Sequence, residues 1–587
     1  MAFEMVYGDQ RLAKGVGEGF GVGDANEQCS GQSGAFGDGY GVEILECDAC
    51  FGDGSTDHGD DVAQMLAGGQ FRDDSAVRSM GGNLRGDHIG QSLGPATDYG
   101  GCGFVAGAFY AQYETCAHHL SMIEDRAMTK SVAQLAAEAV VERLGVEGYD
   151  AYFAGGCVRD MLLGREPQDF DVATNARPDV VLDLFPRTFA VGAHFGVVLV
   201  ADEIDGEEIV TEVATFRSDG AYSDGRRPDE VRFSDSPQED VVRRDFTING
   251  MLLDPQVLGE TGDLEQAVLD FVGGHADLGA GVVRAIGDPD KRFAEDRLRM
   301  LRAVRFAARF NFVIEAETER AICGHSKAIS QVSCERIRDE LTRMLTEGRA
   351  RRAFELLDRT GLLRQVLPEV SLMHGVEQPP EYHPEGDVWV HTLLLLEKLP
   401  AGVSPTLAWG ALLHDVGKPA TFERAPDRIR FNGHVEVGVR IAENICRRLR
   451  FSSEDTAQIA ALVENHMRFG DVMRMKESTL KRFFRLPRFP EHLELHRIDC
   501  LSSHRDLSLY DYAKRRYETL PEEAVKPPLL VTGEDLIDAG YRPGPRFKEM
   551  LAAAEDAQLE GHIVSKAEGL ALVREAFPVD SPSPLGE

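Results

Sequence analysis

Gly155-Gly156-Cys157-Val158-Arg159-Asp160, with Asp169-Phe170-Asp171 close behind, is the stretch on which the fold of this chain turns. Tyr152 to Ala154 reads as a strand, the glycines as a turn, the next residues as a helix start, and Asp169–Asp171 as a second strand bearing two carboxylates. Side chains alternate along a strand, so Asp169 and Asp171 are expected on one face. Paired aspartates make a hard-oxygen site of the kind Mg²⁺ takes, with substrate phosphates completing its shell. Gly155 and Gly156 let the backbone approach a triphosphate, and N–H groups at a helix start favour anionic oxygens. Either motif alone is commonplace. Together, with thirteen residues from Gly156 to Asp169, they point to metal-assisted transfer of a nucleotide.

Further acids and arginines extend that reading. Glu212, in Glu208-Ile209-Val210-Thr211-Glu212-Val213, is a third acidic candidate, able to complete the metal site or accept the proton of an attacking hydroxyl. It reads equally well as an ordinary outward strand carboxylate. Arg243-Arg244-Asp245-Phe246-Thr247-Ile248-Asn249-Gly250 offers two arginines to clamp triphosphate oxygens, with Asp245 and Asn249 placed to contact ribose or hold the arginines. Arg217 to Arg227 reads as a charged loop between these motifs. In Glu295-Asp296-Arg297-Leu298-Arg299-Met300-Leu301-Arg302, expected on a helix, Asp296, Arg299 and Arg302 fall three apart on one surface. The plain reading is a surface ion pair. Beside the other motifs, an aspartate and an arginine together read as a mimic of a complementary base. The carboxylate accepts from the amino group of C or A and rejects the carbonyls of U and G.

From about 128 to 275 the pattern is mixed, with strands expected at 151–154, 169–173, 196–201, 208–216 and 230–233. After about 285 it is helical by period, including 291–310, 316–327, 334–346, 350–358, 389–398, 405–414, 434–450, 455–466, 478–486 and 492–503. Within the helical part, His391, His414-Asp415, His434, His466 and Asp499 fall on successive helices or helix ends. Singly, each histidine reads as a cap or a core residue. The His-Asp doublet with a distal aspartate favours a transition-metal centre.

Bulk properties bound the class. With 587 residues, 43% hydrophobic and 27% charged, the chain is expected to hold several soluble domains. No membrane-length apolar run and no basic-then-apolar leader are present in the sequence given, so a cytoplasmic location is expected. The ten cysteines are scattered, and Cys47-x-x-Cys50 lacks a second pair at zinc-finger spacing. Residues 1–127 hold 25 of the 60 glycines and carry 20 Asp+Glu against 6 Lys+Arg. They lack a sustained period and are expected to be disordered, or an extension ahead of a true start at Met122 or Met128. The net charge of −35 opposes nucleic-acid binding by the chain as a whole, but phosphate binding depends on local patches. Five are candidates: Arg336/Arg338/Arg343, Arg349/Arg351/Arg352, Arg447/Arg448/Arg450, Lys481/Arg482/Arg485/Arg488 and Lys514/Arg515/Arg516. Each alone reads as a solvated helix face.

In order, Gly155-Gly156-x-Val158-Arg159-Asp160 with Asp169-x-Asp171, Arg243-Arg244-Asp245-Phe246-Thr247-Ile248-Asn249, Glu295-Asp296-x-x-Arg299-x-x-Arg302 and Glu335-Arg336-Ile337 resemble the motifs of class II tRNA nucleotidyltransferases. That group comprises the CCA-adding enzymes and the bacterial poly(A) polymerases, and the likeness covers about 130–370. The resemblance implies an α+β protein: a small mixed-sheet nucleotidyltransferase head, then an elongated all-α neck, body and tail. It implies that Asp169 and Asp171 bind Mg²⁺, that Gly156 and Arg159 contact nucleotide, and that Arg244, Asp296, Arg299 and Arg302 bind or select it. Its partners would be a tRNA 3′ end, CTP and ATP, with no membrane. His391, His414-Asp415 and Asp499 resemble the HD phosphohydrolase domain, where His434 and His466 would serve a second metal. Related enzymes with such a domain act on phosphodiesters or 2′,3′-cyclic phosphates.

The expected segments are then 1–127, head 128–280, neck 281–375 with nucleotide-selecting and RNA-binding helices, HD domain 376–505 and an RNA-binding tail 506–587. Val191-Gly192-Ala193-His194-Phe195-Gly196-Val197 looks more like the CCA-adding pattern than the poly(A) one, and the Arg217–Arg227 loop resembles one that full CCA-adding and A-adding enzymes keep. Asn249-Gly250-Met251 departs slightly from the usual Asn-Ala-Met. The alternatives are A-only addition or poly(A) synthesis, and an HD phosphohydrolase whose degenerate head merely binds RNA.

Overall fold

A computed structural model describes residues 130–578 apart from 193–194, 205, 221–230, 381–382 and 385. The expectations for 1–127, Cys47-x-x-Cys50, Ala193-His194 and most of the charged loop lie outside the described residues.

The head begins with helix α1 (Val132–Val146), capped where Ser131 Oγ accepts from the Gln134 N–H at 3.2 Å. Its buried face, Ala137, Val140, Val141 and Leu144, packs across a mixed sheet. Strand β1 (Ala151–Ala154) leads through Gly155 into the short helix α2 (Gly156–Leu162). Gly155 has φ +75°, a backbone setting that side chains other than glycine's rarely adopt. Then come β2 (Asp171–Thr174), β3 (Thr188–Gly192), β4 (Val197–Ile204), β5 (Glu207–Thr215), helix α3 (Pro237–Val242), β6 (Met251–Leu253) and β7 (Val268–Asp270).

The sheet runs β3-β4-β5-β2-β1-β6-β7. Its β2–β5 pair is parallel, and the other adjacent pairs are antiparallel. That parallel pair matters most, because Val172 lies opposite Val213 and so Asp171 and Glu212 are brought side by side. Ala154, Ala173, Phe216, Val241 and Leu252 form a small core of their own beside the main one.

Beyond the head the chain is mainly helical. Helices α4 (Pro289–Glu295) and α5 (Arg299–Phe310) replace the single helix expected at 291–310. The break has a local cause. Asp296 takes an extended backbone (φ −139°, ψ 106°), and its carboxylate accepts the Leu298 N–H at 3.0 Å, a bond that competes with helix continuation. Then follow α6 (Cys334–Thr346), α7 (Val388–Glu397), α8 (Pro405–Leu413), α9 (His434–Arg448), α10 (Ser453–Asn465), α11 (Glu477–Phe484), α12 (Phe489–Ser502) and α13 (Arg546–Leu559). One apolar core runs from Ala137 through the neck to Ile498. A second gathers Phe469, Phe483, Phe489 and Ala513, and a third Val531, Leu536, Met550 and Val573. No described helix is long and apolar enough to cross a membrane.

Candidate functional site

Head and neck together enclose a cleft of about 590 Å³. Its acidic floor comes from the sheet, where Asp171 opens β2 and Glu212 stands in β5 beside it. Asp169 precedes β2 rather than lying within it, but the alternation holds: Asp169 and Asp171 are exposed and Phe170 between them is buried. Although water reaches Asp171, protein atoms crowd its carboxyl and push its pKa up to about 6. Glu212 adds to the rise, Arg244 opposes it and Asp169 adds again. Carboxylates that offer only oxygen and feel one another's charge suit Mg²⁺.

The arginine wall is built on two carboxylates: Asp240, which the motif reading did not single out, and Asp245, which it offered as a holder of arginines. Asp240, buried in α3, accepts from Arg243 Nε at 2.9 Å and Nη2 at 2.6 Å on one oxygen, and from Arg244 Nε at 3.2 Å and Nη2 at 2.9 Å on the other. Asp245 accepts from its neighbour's N–H at 2.8 Å, from Asn249 Nδ2 at 3.1 Å and from Arg302 Nε at 2.8 Å. Burial opposes the charge on Asp245, but Arg302 and Asn249 outweigh it and hold the carboxyl below its ordinary range. Asn249 Oδ1 in turn accepts from Arg159 Nη1 at 2.5 Å. Arg159 lines the cleft with its guanidinium clamped, 5.4 Å from the Phe306 ring centre and 4.6 Å from that of Phe310.

Asp296 and Arg299 both line the cleft, but not as the expected helical pair. The chain breaks between them. Asp296 accepts a forked pair from Arg336, Nη1 at 3.2 Å and Nη2 at 2.7 Å, whereas Arg299 Nη1 donates to Glu295 at 2.7 Å and its Nη2 to the Arg243 carbonyl at 3.1 Å. Arg336 comes from α6, forty residues from Asp296, and its partner was not legible from spacing.

A second centre lies in the body and draws in all six expected residues. Two sets of three ligand atoms, His391/His414/Asp499 and Asp415/His434/His466, each fall within 4.8 Å of one another. Nε2 of His391 lies 3.3 Å from His414 Nε2 and 3.1 Å from Asp499. Asp415 bridges the sets, 3.2 Å from His414 Nε2 on one oxygen, and 3.7 Å and 3.9 Å from the Nε2 atoms of His466 and His434 on the other. The tautomers follow from the backbone. Nδ1 of His414, His434 and His466 lies 2.8, 2.9 and 2.7 Å from the carbonyls of Ala411, Phe431 and Val463. A carbonyl only accepts, so Nδ1 carries the proton and Nε2 presents its lone pair inward. Nε2 of His434 and of His466 is buried without a hydrogen-bond partner, a costly arrangement that a bound cation would relieve. Burial pushes the His466 imidazole down to about 4, keeping it in the neutral form a metal requires.

Two supports here escaped the sequence reading. Lys418, three residues past the doublet, donates to Asp415 at 2.7 Å and to Gln378 Oε1 at 2.6 Å. Gly417 lets the doublet lie against the start of α9, since a Cβ there would stand 2.0 Å from the His434 carbonyl.

Known proteins match this arrangement in order. Residues 151–284 match the poly A polymerase head domain, 311–373 a segment described as the probable RNA and SrmB-binding site of polymerase A, and 388–504 the HD domain. The CCA-adding enzyme of Levilactobacillus brevis is 32% identical over 439 residues, covering 74% of this chain and 96% of that enzyme. This chain belongs to the CCA-adding enzyme family. The Lactobacillus gasseri member is 39% identical over 274 residues, 45% of this chain, and the chain spans 66% of that relative's length, just under two thirds. The crystal structure of the Bacillus stearothermophilus CCA-adding enzyme in complex with CTP superposes with a TM-score of 0.58 at 28% identity, covering 76% of this chain and 98% of that one.

The basic patches do not take the form the sequence suggested. Most of those cations are spent inside the protein rather than displayed. Arg336 holds Asp296, Arg448 holds Glu369 at 2.5 Å and Arg351 holds Glu397 at 2.8 Å. Lys481 donates to the Leu559 carbonyl at 2.7 Å, Arg482 pairs with Asp556 and Glu555, Arg485 reaches Glu555 at 2.6 Å and Arg516 holds Glu477 at 2.6 Å. The cluster on α11 therefore fastens α13 to the body. Among the described residues of the five patches, Arg349, Arg447, Arg450, Lys514 and Arg515 are exposed with no carboxylate ion pair; Arg447 donates to the Asn444 amide oxygen and Lys514 lies over the Tyr510 ring.

Proposed function

We propose that this chain adds CMP and AMP from CTP and ATP to the 3′ end of tRNA, releasing pyrophosphate. The observation that carries this most strongly is a single cleft in which the Asp171–Glu212 floor faces Arg244 and Asp296. Membership of the CCA-adding family and the likeness to a relative solved with CTP support it.

Mg²⁺ held by Asp169 and Asp171 would supply Lewis-acid stabilisation of the reacting phosphoryl group. The protein's own groups do the rest. The Gly155-Gly156 turn and the first N–H groups of α2 receive the triphosphate beside Arg244. Glu212 accepts the proton of the attacking 3′-hydroxyl. Asp296, oriented by Arg336, accepts from the exocyclic amino group of C or A, whereas U and G would set a carbonyl oxygen against it. Arg302, held by Asp245, and Arg299, held by Glu295, fix the wall behind the base. Incubating the purified protein with tRNA lacking its CCA end and each labelled nucleotide tests the reading. Both C and A are expected to be incorporated. Incorporation of A alone supports the A-adding alternative, and incorporation of neither refutes transfer.

A second reading stands on its own observation. The unpartnered Nε2 atoms of His434 and His466, with the carboxylates of Asp415 and Asp499, suit a divalent transition metal that would activate water for phosphoester hydrolysis.

A further inference from the structure

Four hydrogen bonds converge on one buried carboxylate behind the head cleft. Asp240 has its side chain about 1% exposed, and Arg243 and Arg244 follow it at three and four residues, spacings that share a helix face. Each guanidinium turns its Nε–Nη2 edge to a separate oxygen, so that both donors of one arginine converge on one oxygen and each oxygen serves one arginine. Burial alone would raise this carboxyl, but the charges of Arg244 and Arg243 and their bonds hold it below the ordinary range.

Of the two arginines, Arg244 faces the reacting end of the cleft. A Cβ placed on Gly155 would lie 3.2 Å from its Nη1, so that nitrogen stands over the glycine turn. Its positive charge is felt at Asp171. With Nε and Nη2 committed to Asp240, the donors of Nη1 are the ones turned toward a ligand. Arg243, by contrast, offers its carbonyl to Arg292 at 3.2 Å and to Arg299 at 3.1 Å, and so ties the wall together.

We propose that Asp240 is a positioning residue for nucleotide addition, fixing the Nη1 edge of Arg244 over the Gly155 turn so that it meets triphosphate oxygens. This rests on the nucleotidyl-transfer reading. It differs from a merely structural role in one respect: the effect must pass through Arg244 and must be shared by every nucleotide, because the triphosphate is common to all of them.

The test is a double-mutant cycle of Asp240→Asn and Arg244→Met, read as KM and kcat for CTP and ATP on tRNA lacking its CCA end. Asp240→Asn is expected to raise KM for both nucleotides about tenfold or more and to lower kcat less, with the CTP-to-UTP preference unchanged. The double variant is expected to be no worse than Arg244→Met alone. An unchanged KM in Asp240→Asn, or effects of the two substitutions that multiply, would overturn the positioning role while leaving nucleotidyl transfer intact. A wild-type protein that adds neither C nor A overturns both. Should Asp240→Asn fail to fold, Asp240→Glu keeps the charge but displaces the guanidinium, and must show the same rise in KM.

Discussion

Head cleft and body cluster are both assembled from acids and nitrogen bases, yet they distribute charge in opposite ways. In the head, Arg243, Arg244, Arg299 and Arg302 each already have a carboxylate partner, and the acids of the floor stay open to water. In the body, His391, His414, Asp415 and His466 are almost wholly buried, and the Nε2 atoms of His434 and His466 have no hydrogen-bond partner. For the proposed reaction, a cleft that admits a charged triphosphate and releases pyrophosphate would benefit from pre-oriented groups whose own charges are balanced. A cluster that holds an ion instead keeps neutral donors fixed in one tautomer and dry. The two regions are therefore separable, and substitutions in one should spare the other.

The largest expected break comes from the body. Gly417→Ala would force the doublet away from α9, because its new methyl meets the His434 carbonyl at 2.0 Å. Metal content measured by mass spectrometry should fall to background while nucleotide addition persists. In the head, Asp296→Asn should sharpen the contrast by altering choice rather than capacity. With a donor replacing half of the acceptor, preference for CTP over UTP should drop about 10–100-fold, the scale of one well-made base contact, as read from competing incorporation.

The smallest effect concerns stability. Burial pushes the His492 imidazole of α12 down to about 4, below its unfolded value of about 6.5. The folded state thus binds fewer protons, so the stability gained from neutral burial is complete above about pH 6.5 and is lost as pH falls toward 4. His492→Gln should flatten that slope in denaturant titrations, by an amount on the order of 3 kcal/mol across the window.

How much of this was legible in the chain depended on whether the signal was local. The glycine turn, the Asp-x-Asp alternation and the His-Asp doublet are set by neighbouring residues, and each is found where the sequence placed it. Strands β3, β6 and β7 were not marked, because β6 is three buried apolar residues directly after a turn and carries no period to read. Asp296 reads as helical from its neighbours, and its own side-chain bond to the Leu298 N–H decides otherwise. Asp240 lay in plain view three residues before Arg243, and helical spacing could have found it. The pairing of Arg336 with Asp296, and of the α11 arginines with α13, depends on tertiary contact that no spacing encodes.

The measurement that bears most directly on the account is nucleotide addition by Asp171→Ala and His414→Ala, assayed side by side on tRNA lacking its CCA end. Asp171→Ala should lose addition of both C and A by about 10³-fold or more, while His414→Ala adds both at the wild-type rate. Persistent addition by Asp171→Ala, or equal loss in both variants, would contradict the assignment of transfer to the head.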